Sequence, residues 1–181
     1  MSRPRTVYLD SLGCEKNTVD SESALGLLLA RGYRLVTEPE DADLIVVNTC
    51  GFLASARDES VQRLRELGSR KQGGKLVAMG CLIQGRTHDV QALVPQVDYV
   101  LGVGQYDRLA ELDAGAAAVA MLGADEAPYL GYSMRGLLGR RHFAHLKIAE
   151  GCNQSCSFCK IPILRGRQRS RPIASIVAEA T

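Results

Sequence analysis

The sequence predicts a parallel α/β sheet followed by the beginning of a second unit. Two observations lead to this fold class. Between Arg5 and Met121, short apolar and β-branched runs alternate with segments of helical spacing, and such alternation indicates parallel pairing. The stretch Gly123–Arg140 then lacks periodicity and precedes a new apolar run, which predicts a linker and a second unit.

The predicted strands are short and rich in apolar residues, as expected where helices cover both faces of a sheet. They are Arg5–Leu12, Tyr33–Thr37, Leu44–Val47, Leu76–Met79 and Tyr99–Leu101. The predicted helices are one capped by Asn17 or Asp20 and ending near Arg31, then Phe52–Leu67, His88–Leu93 and Tyr106–Met121. The second unit is predicted to contain a strand at Phe143–Ile148, a loop at Gly151–Gly166 and a helix from Ile173 to Thr181.

Composition restricts the class of protein. The chain has 181 residues, of which 46% are apolar and 23% charged, and a net charge of +2. These values exclude a disordered acidic or polybasic chain. No apolar run approaches the roughly 18 residues of a membrane helix, and the N-terminus lacks the apolar stretch of a signal peptide. We therefore expect a soluble, cytoplasmic protein with no membrane partner.

Six cysteines are the most informative residues. In a reducing compartment they indicate metal or redox chemistry rather than disulfides. Cys14, Cys50 and Cys81 each follow a predicted strand, and the carboxyl ends of parallel strands share one edge of the sheet. We therefore expect these three thiols on one rim. The alternative, three ordinary buried thiols, explains the repeated placement less well.

The other three cysteines form the motif C-x3-C-x2-C, with Cys152, Cys156 and Cys159. Thiolates are the usual ligands of iron–sulfur clusters, and three of them leave one iron of a 4Fe–4S cluster open to an external ligand. The spacing differs from the ferredoxin run and from paired CxxC zinc sites, which supply four ligands. A zinc or structural role is the less favoured alternative.

This motif, with Phe158 before its last cysteine, resembles the radical S-adenosylmethionine (SAM) superfamily, in which SAM chelates the open iron. Further segments resemble the methylthiotransferases of that superfamily. The segments around Cys14, Cys50 and Cys81 that show this resemblance are Leu12–Glu22, Asn48–Phe52 and Gly80–Leu82. After the motif they are Ile161–Pro162, Arg165–Gly166 and Ser170–Pro172.

The resemblance implies a flavodoxin-like N-terminal methylthiotransferase domain over 1–125, a linker over 126–141 and the truncated start of a radical SAM (TIM-like) barrel over 142–181. It implies an auxiliary 4Fe–4S cluster on Cys14, Cys50 and Cys81. It also implies a radical SAM 4Fe–4S cluster, with SAM, on Cys152, Cys156 and Cys159. The cysteines are then ligands, and no side chain of this chain is a catalytic residue.

The first motif is similar to the branch of the family that methylthiolates the β-carbon of an aspartate in the twelfth small-subunit ribosomal protein. Glu15 and the segment Gln84–Thr87 depart from the usual pattern of that branch without touching a ligand. The implied partners are this ribosomal protein, an external electron donor and neighbouring ribosomal RNA. Alternatives are a methylthiotransferase of tRNA adenosine and, from another class, a non-catalytic iron–sulfur electron-transfer module. We expect the chain to be a fragment that is inactive alone.

The segment Arg135–Arg171 is strongly basic, with nine Lys and Arg against one acid, Glu150, whereas the rest of the chain has 13 bases and 19 acids. We expect these bases to offset a cluster or to bind the SAM carboxylate, rather than to lie along ribosomal phosphates. Asp20 and Glu22 are expected to be first-turn helix charges. Two further features are not expected to form sites: the histidines His88, His142 and His145, and the run Gly102–Gly104.

Overall fold

The computed structural model describes residues 5–112, 135–139 and 142–181. Its main sheet has five parallel strands in the order β2-β1-β3-β4-β5. They are β1 (Thr6–Ser11), β2 (Arg34–Leu35), β3 (Leu44–Thr49), β4 (Lys75–Gly80) and β5 (Tyr99–Leu101). This is the strand order of flavodoxin-like sheets, whose ligands bind at the carboxyl ends of the strands. The predicted parallel α/β class is confirmed.

Helices cover both faces of this sheet. They are α1 (Glu15–Ala30), α2 (Ala54–Arg70) and α3 (Cys81–Leu93), with 3-10 turns at Pro39–Asp41 and Tyr106–Ala110. Every residue of β3 is buried, and alternate side chains point to opposite faces. Ile45 and Val47 pack with α2 and α3, whereas Leu44 and Val46 pack with α1. Burial on both faces explains why the sequence of β3 is apolar without alternation.

Several helix boundaries differ from the predictions. Helix α1 begins at Glu15, so neither Asn17 nor Asp20 is its cap. Helix α3 begins at Cys81 rather than at His88, because Gly80, with φ +99°, turns the chain directly from strand to helix. At Tyr106 the described chain forms only a 3-10 turn, and residues 113–121 of the predicted helix lie outside the described residues.

The second unit contains β6 (Ala149–Glu150), α4 (Ile161–Arg165), β7 (Arg169–Ser170) and α5 (Ile173–Ala180). The predicted strand Phe143–Ile148 is wrong, because only the next two residues pair, antiparallel, with β7. The predicted loop Gly151–Gly166 contains the short helix α4. The start of a TIM-like barrel remains a prediction, and most of the predicted linker lies outside the described residues. Among the described helices, none has the length and hydropathy needed to span a bilayer.

Candidate metal centres

Cys14, Cys50 and Cys81, here called the first triad, lie at one edge of the main sheet. Cys14 is the N-cap of α1 just beyond β1, Cys50 follows β3 directly, and Cys81 begins α3 after β4. Strands β1, β3 and β4 are neighbours and run parallel, so their carboxyl ends lie side by side. The predicted placement on one rim is confirmed, whereas metal ligation by these thiols remains a prediction.

Two glycines allow these strand ends to approach each other. Gly13 has φ +95°, a conformation that favours glycine, and a Cβ there would lie 2.9 Å from Cys50 Cβ and 3.1 Å from Cys50 Sγ. A Cβ on Gly51 would lie 2.6 Å from the carbonyl oxygen of Cys81. The turn before Cys14 therefore packs against Cys50, and the turn after Cys50 packs against Cys81.

Asn17 joins the three strand ends by hydrogen bonds. Its Nδ2 donates to the carbonyl oxygens of Leu12 at 2.7 Å and Thr49 at 3.1 Å, next to the first two cysteines. Its Oδ1 accepts from Cys81 Sγ at 3.8 Å. The side chain is 1% exposed, so a buried amide contacts every strand end that carries a cysteine, instead of capping a helix as the sequence predicted.

The first-triad thiols differ in their surroundings. Cys14 is exposed, Cys50 is half-buried and Cys81 is buried, and all are free thiols. Burial raises the pKa of Cys81 to about 11, although the nearby Arg165 guanidinium opposes the shift. The backbone N–H of Cys50 donates to Ser60 Oγ at 3.0 Å, and Ser60 is fully buried in α2. The scaffold therefore fixes the backbone of Cys50 and buries most of Cys81.

Among the described residues, no three His, Cys, Asp or Glu side chains are oriented so as to enclose a metal ion. The donor set nevertheless fits an iron–sulfur cluster, since it consists of free thiols on adjacent strand ends and clusters are held by thiolates. Because Gly13 has no side chain, the space beside Cys50 Sγ, where a Cβ at position 13 would lie, is also open.

Cys152, Cys156 and Cys159, here called the second triad, lie on the loop between β6 and α4. Cys156 is exposed and the other two are half-buried. The loop is closed by backbone bonds from Cys159 N to Cys156 O at 3.1 Å and from Cys152 N to Gly166 O at 3.1 Å. Phe158 is 83% exposed. Three free thiols thus lie on one compact loop at the surface, which fits the predicted open-sided cluster site.

A buried ionic cluster joins α1 to the second unit; its members, here called the junction cluster, are Asp20, Lys147, Glu150 and Arg165. Lys147 bonds to Asp20, and its Nζ lies 2.8 Å from Glu150 Oε2. Arg165 lies 3.1 Å from Asp20 Oδ2 and 2.9 Å from Glu150 Oε2. Burial alone would raise the pKa of Glu150, but Lys147 and Arg165 outweigh it and lower that pKa to about 2. Glu150 is therefore held in its charged form beside the two bases.

A second buried contact lies beside the junction cluster. Arg135 bonds to Glu22 of α1 and to Glu179 of α5. The prediction that Asp20 and Glu22 are first-turn helix charges is therefore wrong, because Asp20 is a buried partner of Lys147 and Arg165 and Glu22 is a buried partner of Arg135. Among the described bases of this segment, four have side chains buried in such ion pairs: Arg135, Lys147, Arg165 and Arg171. The charges of these four bases are neutralised by carboxylates of the chain itself, so these side chains are not placed to contact the phosphates of a nucleic acid.

A cavity of about 330 Å³ opens between the two units beside Cys81. Its lining includes Gly51 and Arg57 from the first unit and Lys160 and Ile163 from the second. A space of this size is at the lower end of the range for ligand pockets. Cys81 is the cysteine that lines the cavity, and Lys160 in its wall directly follows the last cysteine of the second triad.

Comparison with known proteins identifies the family of the chain. Residues 6–102 match the uncharacterized protein family UPF0004. The chain belongs to this family. Relatives of this UPF0004 chain include proteins called ribosomal protein uS12 methylthiotransferase RimO. The protein from Anaeromyxobacter sp. (strain Fw109-5) is 48% identical over 178 residues, covering 96% of this chain and 38% of the relative. The protein from Myxococcus xanthus is 43% identical over 182 residues, covering 98% and 38%.

The UPF0004 match covers the whole first triad, and the alignments to the two relatives extend over nearly all of the chain. The chain spans about 38% of the length of these relatives. The predicted resemblance to methylthiotransferases is therefore confirmed, since the relatives of this chain carry that name.

Three side chains of this UPF0004 chain lie beside the first triad, and the sequence alone predicted none of these contacts. They are Asn17, Ser60 and Arg165, which contact the triad or its backbone. Arg165 lies close in sequence only to a cysteine of the second triad, and Ser60 lies a helix turn or more away from Cys50, so no spacing rule could have found these two contacts. The histidines His142 and His145 are exposed, and the side chain of His88 lies outside the described residues. The sequence predicts no site at the run Gly102–Gly104. Within it, the backbone N–H of Val103 donates to Gln84 Oε1 at 3.2 Å.

Proposed function

We propose that the whole protein is a radical SAM methylthiotransferase that modifies the β-carbon of an aspartate in ribosomal protein uS12. The observation that carries the proposal is the presence of two separate thiol triads on neighbouring surfaces of one chain. The names of the relatives support the reaction and the substrate. A simple electron carrier would have no use for a second triad with an open ligand position.

In this proposal Cys14, Cys50 and Cys81 hold an auxiliary 4Fe–4S cluster, and Cys152, Cys156 and Cys159 hold a second cluster that also binds SAM. When bound, these groups supply one-electron cleavage of SAM and the sulfur to be inserted, chemistry that side chains alone do not provide. The residues of this chain position the thiolates. The strand ends hold the first triad, and the backbone bonds of the Cys152–Cys159 loop hold the second.

The cavity beside Cys81 is the proposed approach for the substrate. It is bordered by Arg57 and Lys160, whose positive charges favour a carboxylate-bearing side chain such as aspartate. The further proposed partners are an external one-electron donor and ribosomal RNA. Lys160 and Arg167 are exposed and remain accessible for phosphate contacts, unlike the four buried bases.

The test is anaerobic iron–sulfur reconstitution of the whole protein, followed by incubation with SAM, a reductant and uS12. We expect about eight iron atoms per protein, formation of 5′-deoxyadenosine and a methylthio group on uS12 found by mass spectrometry. Replacing all three cysteines of either triad by Ala should leave about four iron atoms, held by the other triad. The two triple variants serve as matched controls for each other.

Other outcomes would reject the proposal in defined ways. Iron without SAM cleavage would favour an electron-transfer module. SAM cleavage with modification of tRNA adenosine instead of uS12 would replace the proposed substrate. Loss of all iron in either triple variant would mean that the triads do not form independent sites.

A further inference from the structure

Arg165 belongs by sequence to the second unit but lies at the first triad. It ends α4, six residues after Cys159, and is 1% exposed. Its Nη2 donates to Asn17 Oδ1 at 2.7 Å and to Asp20 Oδ2 at 3.1 Å, and its Nη1 donates to Glu150 Oε2 at 2.9 Å. The guanidinium of Arg165, a residue of the second unit, therefore lies at the edge of the main sheet beside α1.

The acceptor atom that Arg165 uses on Asn17 is the one that also accepts from Cys81 Sγ, at 3.8 Å. The other end of the same amide holds the backbone next to Cys14 and Cys50. Arg165 thus fixes the orientation of the Asn17 amide, since only the oxygen can accept from a guanidinium. Its positive charge also acts directly on Cys81, where it opposes the effect of burial on the thiol.

The backbone of Arg165 is tied to the second triad. The next residue, Gly166, accepts a hydrogen bond from Cys152 N at 3.1 Å. A Cβ on Gly151 would lie 2.5 Å from Gly166 O, so the chain just before Cys152 is packed tightly against the turn that follows Arg165. The route from Cys152 through Gly166 and Arg165 to Cys81 is therefore continuous.

We propose that Arg165 is a positioning residue of the first-triad site, which orients Asn17 and supplies positive charge to whatever group Cys81 binds. This inference rests on the proposed function, because it takes that group to be an iron–sulfur cluster. A positive charge beside a cluster favours its reduced form, which carries the more negative charge. Arginine suits the orienting role because three separate acceptors surround the guanidinium, a geometry that a lysine ammonium matches less well, whereas either side chain supplies the charge.

The experiment uses the whole protein with Cys152, Cys156 and Cys159 replaced by Ala, so that only the first triad can hold iron. In this background we compare Arg165→Met, Arg165→Lys and the control Arg135→Met, which removes another buried arginine bonded to α1. Iron content and the midpoint potential are measured by titration followed by electron paramagnetic resonance. We expect Arg165→Met to make reduction about tenfold less favourable, a shift of about 59 mV to lower potential for one electron.

Arg165→Lys should retain most of the wild-type potential because it retains the charge, and Arg135→Met should not shift it. If Arg165→Met fails to bind iron, Arg165→Gln replaces it, with the same expected shift relative to Arg165→Lys. An unchanged potential in the uncharged variants, or an equal shift in Arg135→Met, would overturn the role of Arg165 alone. Absence of iron in the background with Arg165 intact would instead overturn the proposed first-triad cluster, and with it this inference.

Discussion

A side chain at position 13 would occupy the space beside Cys50. Gly13 has both a positive φ and a close neighbour, whereas Gly32 has φ +82° but no atom within 4 Å of the place where a Cβ would lie. A side chain at position 32 would meet backbone strain alone, whereas one at position 13 would meet backbone strain and a steric conflict with Cys50. At the scale of single residues, the first triad depends on a missing side chain as much as on the thiols.

We predict that Gly13→Ala destabilises the fold by clearly more than Gly32→Ala. Each substitution forces a non-glycine residue into a left-handed conformation, which costs roughly 1–2 kcal/mol. Gly13→Ala must also displace Cys50, so it should lower the iron bound by the first triad. The measurements are urea unfolding and iron content. Equal unfolding free energies with unchanged iron would show that Cys50 moves without consequence.

At the scale of elements, helix α2 stabilises the turn that carries Cys50. Ser60 is fully buried, and its Oγ accepts from the N–H of Cys50 at 3.0 Å and donates to the carbonyl oxygen of Ala56 at 2.8 Å. Ser69, in the same helix, donates to Glu66 O at 2.7 Å but is exposed to solvent. One hydroxyl thus connects a helix to a candidate ligand, and the other makes only a local bond.

We predict that Ser60→Ala lowers the free energy of unfolding by about 1–3 kcal/mol, because it leaves the N–H of the half-buried Cys50 without its acceptor. Ser69→Ala should change it by less than about 0.5 kcal/mol, as is usual at the surface. Chemical denaturation of both variants measures the difference. A Ser60→Ala variant as stable as Ser69→Ala would mean that the N–H of Cys50 finds another acceptor.

At the scale of the whole molecule, buried charges hold the two units together. The junction cluster pairs Asp20 of α1 with Lys147 and Arg165 of the second unit, and each of these side chains is at most 2% exposed. Ion pairs of this kind add little net stability but cost much when one partner is removed. The relative placement of the two triads therefore depends on all members of the cluster.

We predict that Lys147→Met destabilises the folded chain by about 3–5 kcal/mol, because Asp20 and Glu150 then share a single buried cation. The control is Arg108→Met, which removes a surface pair at 3.8 Å with both side chains exposed and should cost at most about 1 kcal/mol. Thermal and urea unfolding measure both. Similar losses for the two variants would show that water compensates the junction carboxylates.

The sequence by itself determined the parallel α/β class, the strand-end position of Cys14, Cys50 and Cys81, and the grouping of the other three cysteines. These features follow from local patterns, since apolar runs define strands and topology brings parallel strand ends to one edge. It placed the start of α3 too late, because a positive φ at Gly80 converts strand to helix without a loop. It also predicted a strand at Phe143–Ile148, where the described chain offers no ladder partner until Ala149.

Only the tertiary structure decided what surrounds the thiols. Arg165 reaches Asn17 across 148 positions of sequence, and Lys147 reaches Asp20 across 127. No local pattern encodes such pairs, because the sequence around a basic or acidic residue does not show whether its side chain faces water or a buried partner. Burial makes the difference, since a charge removed from water must find an opposite charge or a hydrogen bond, and the packing of the two units determines which partner it finds.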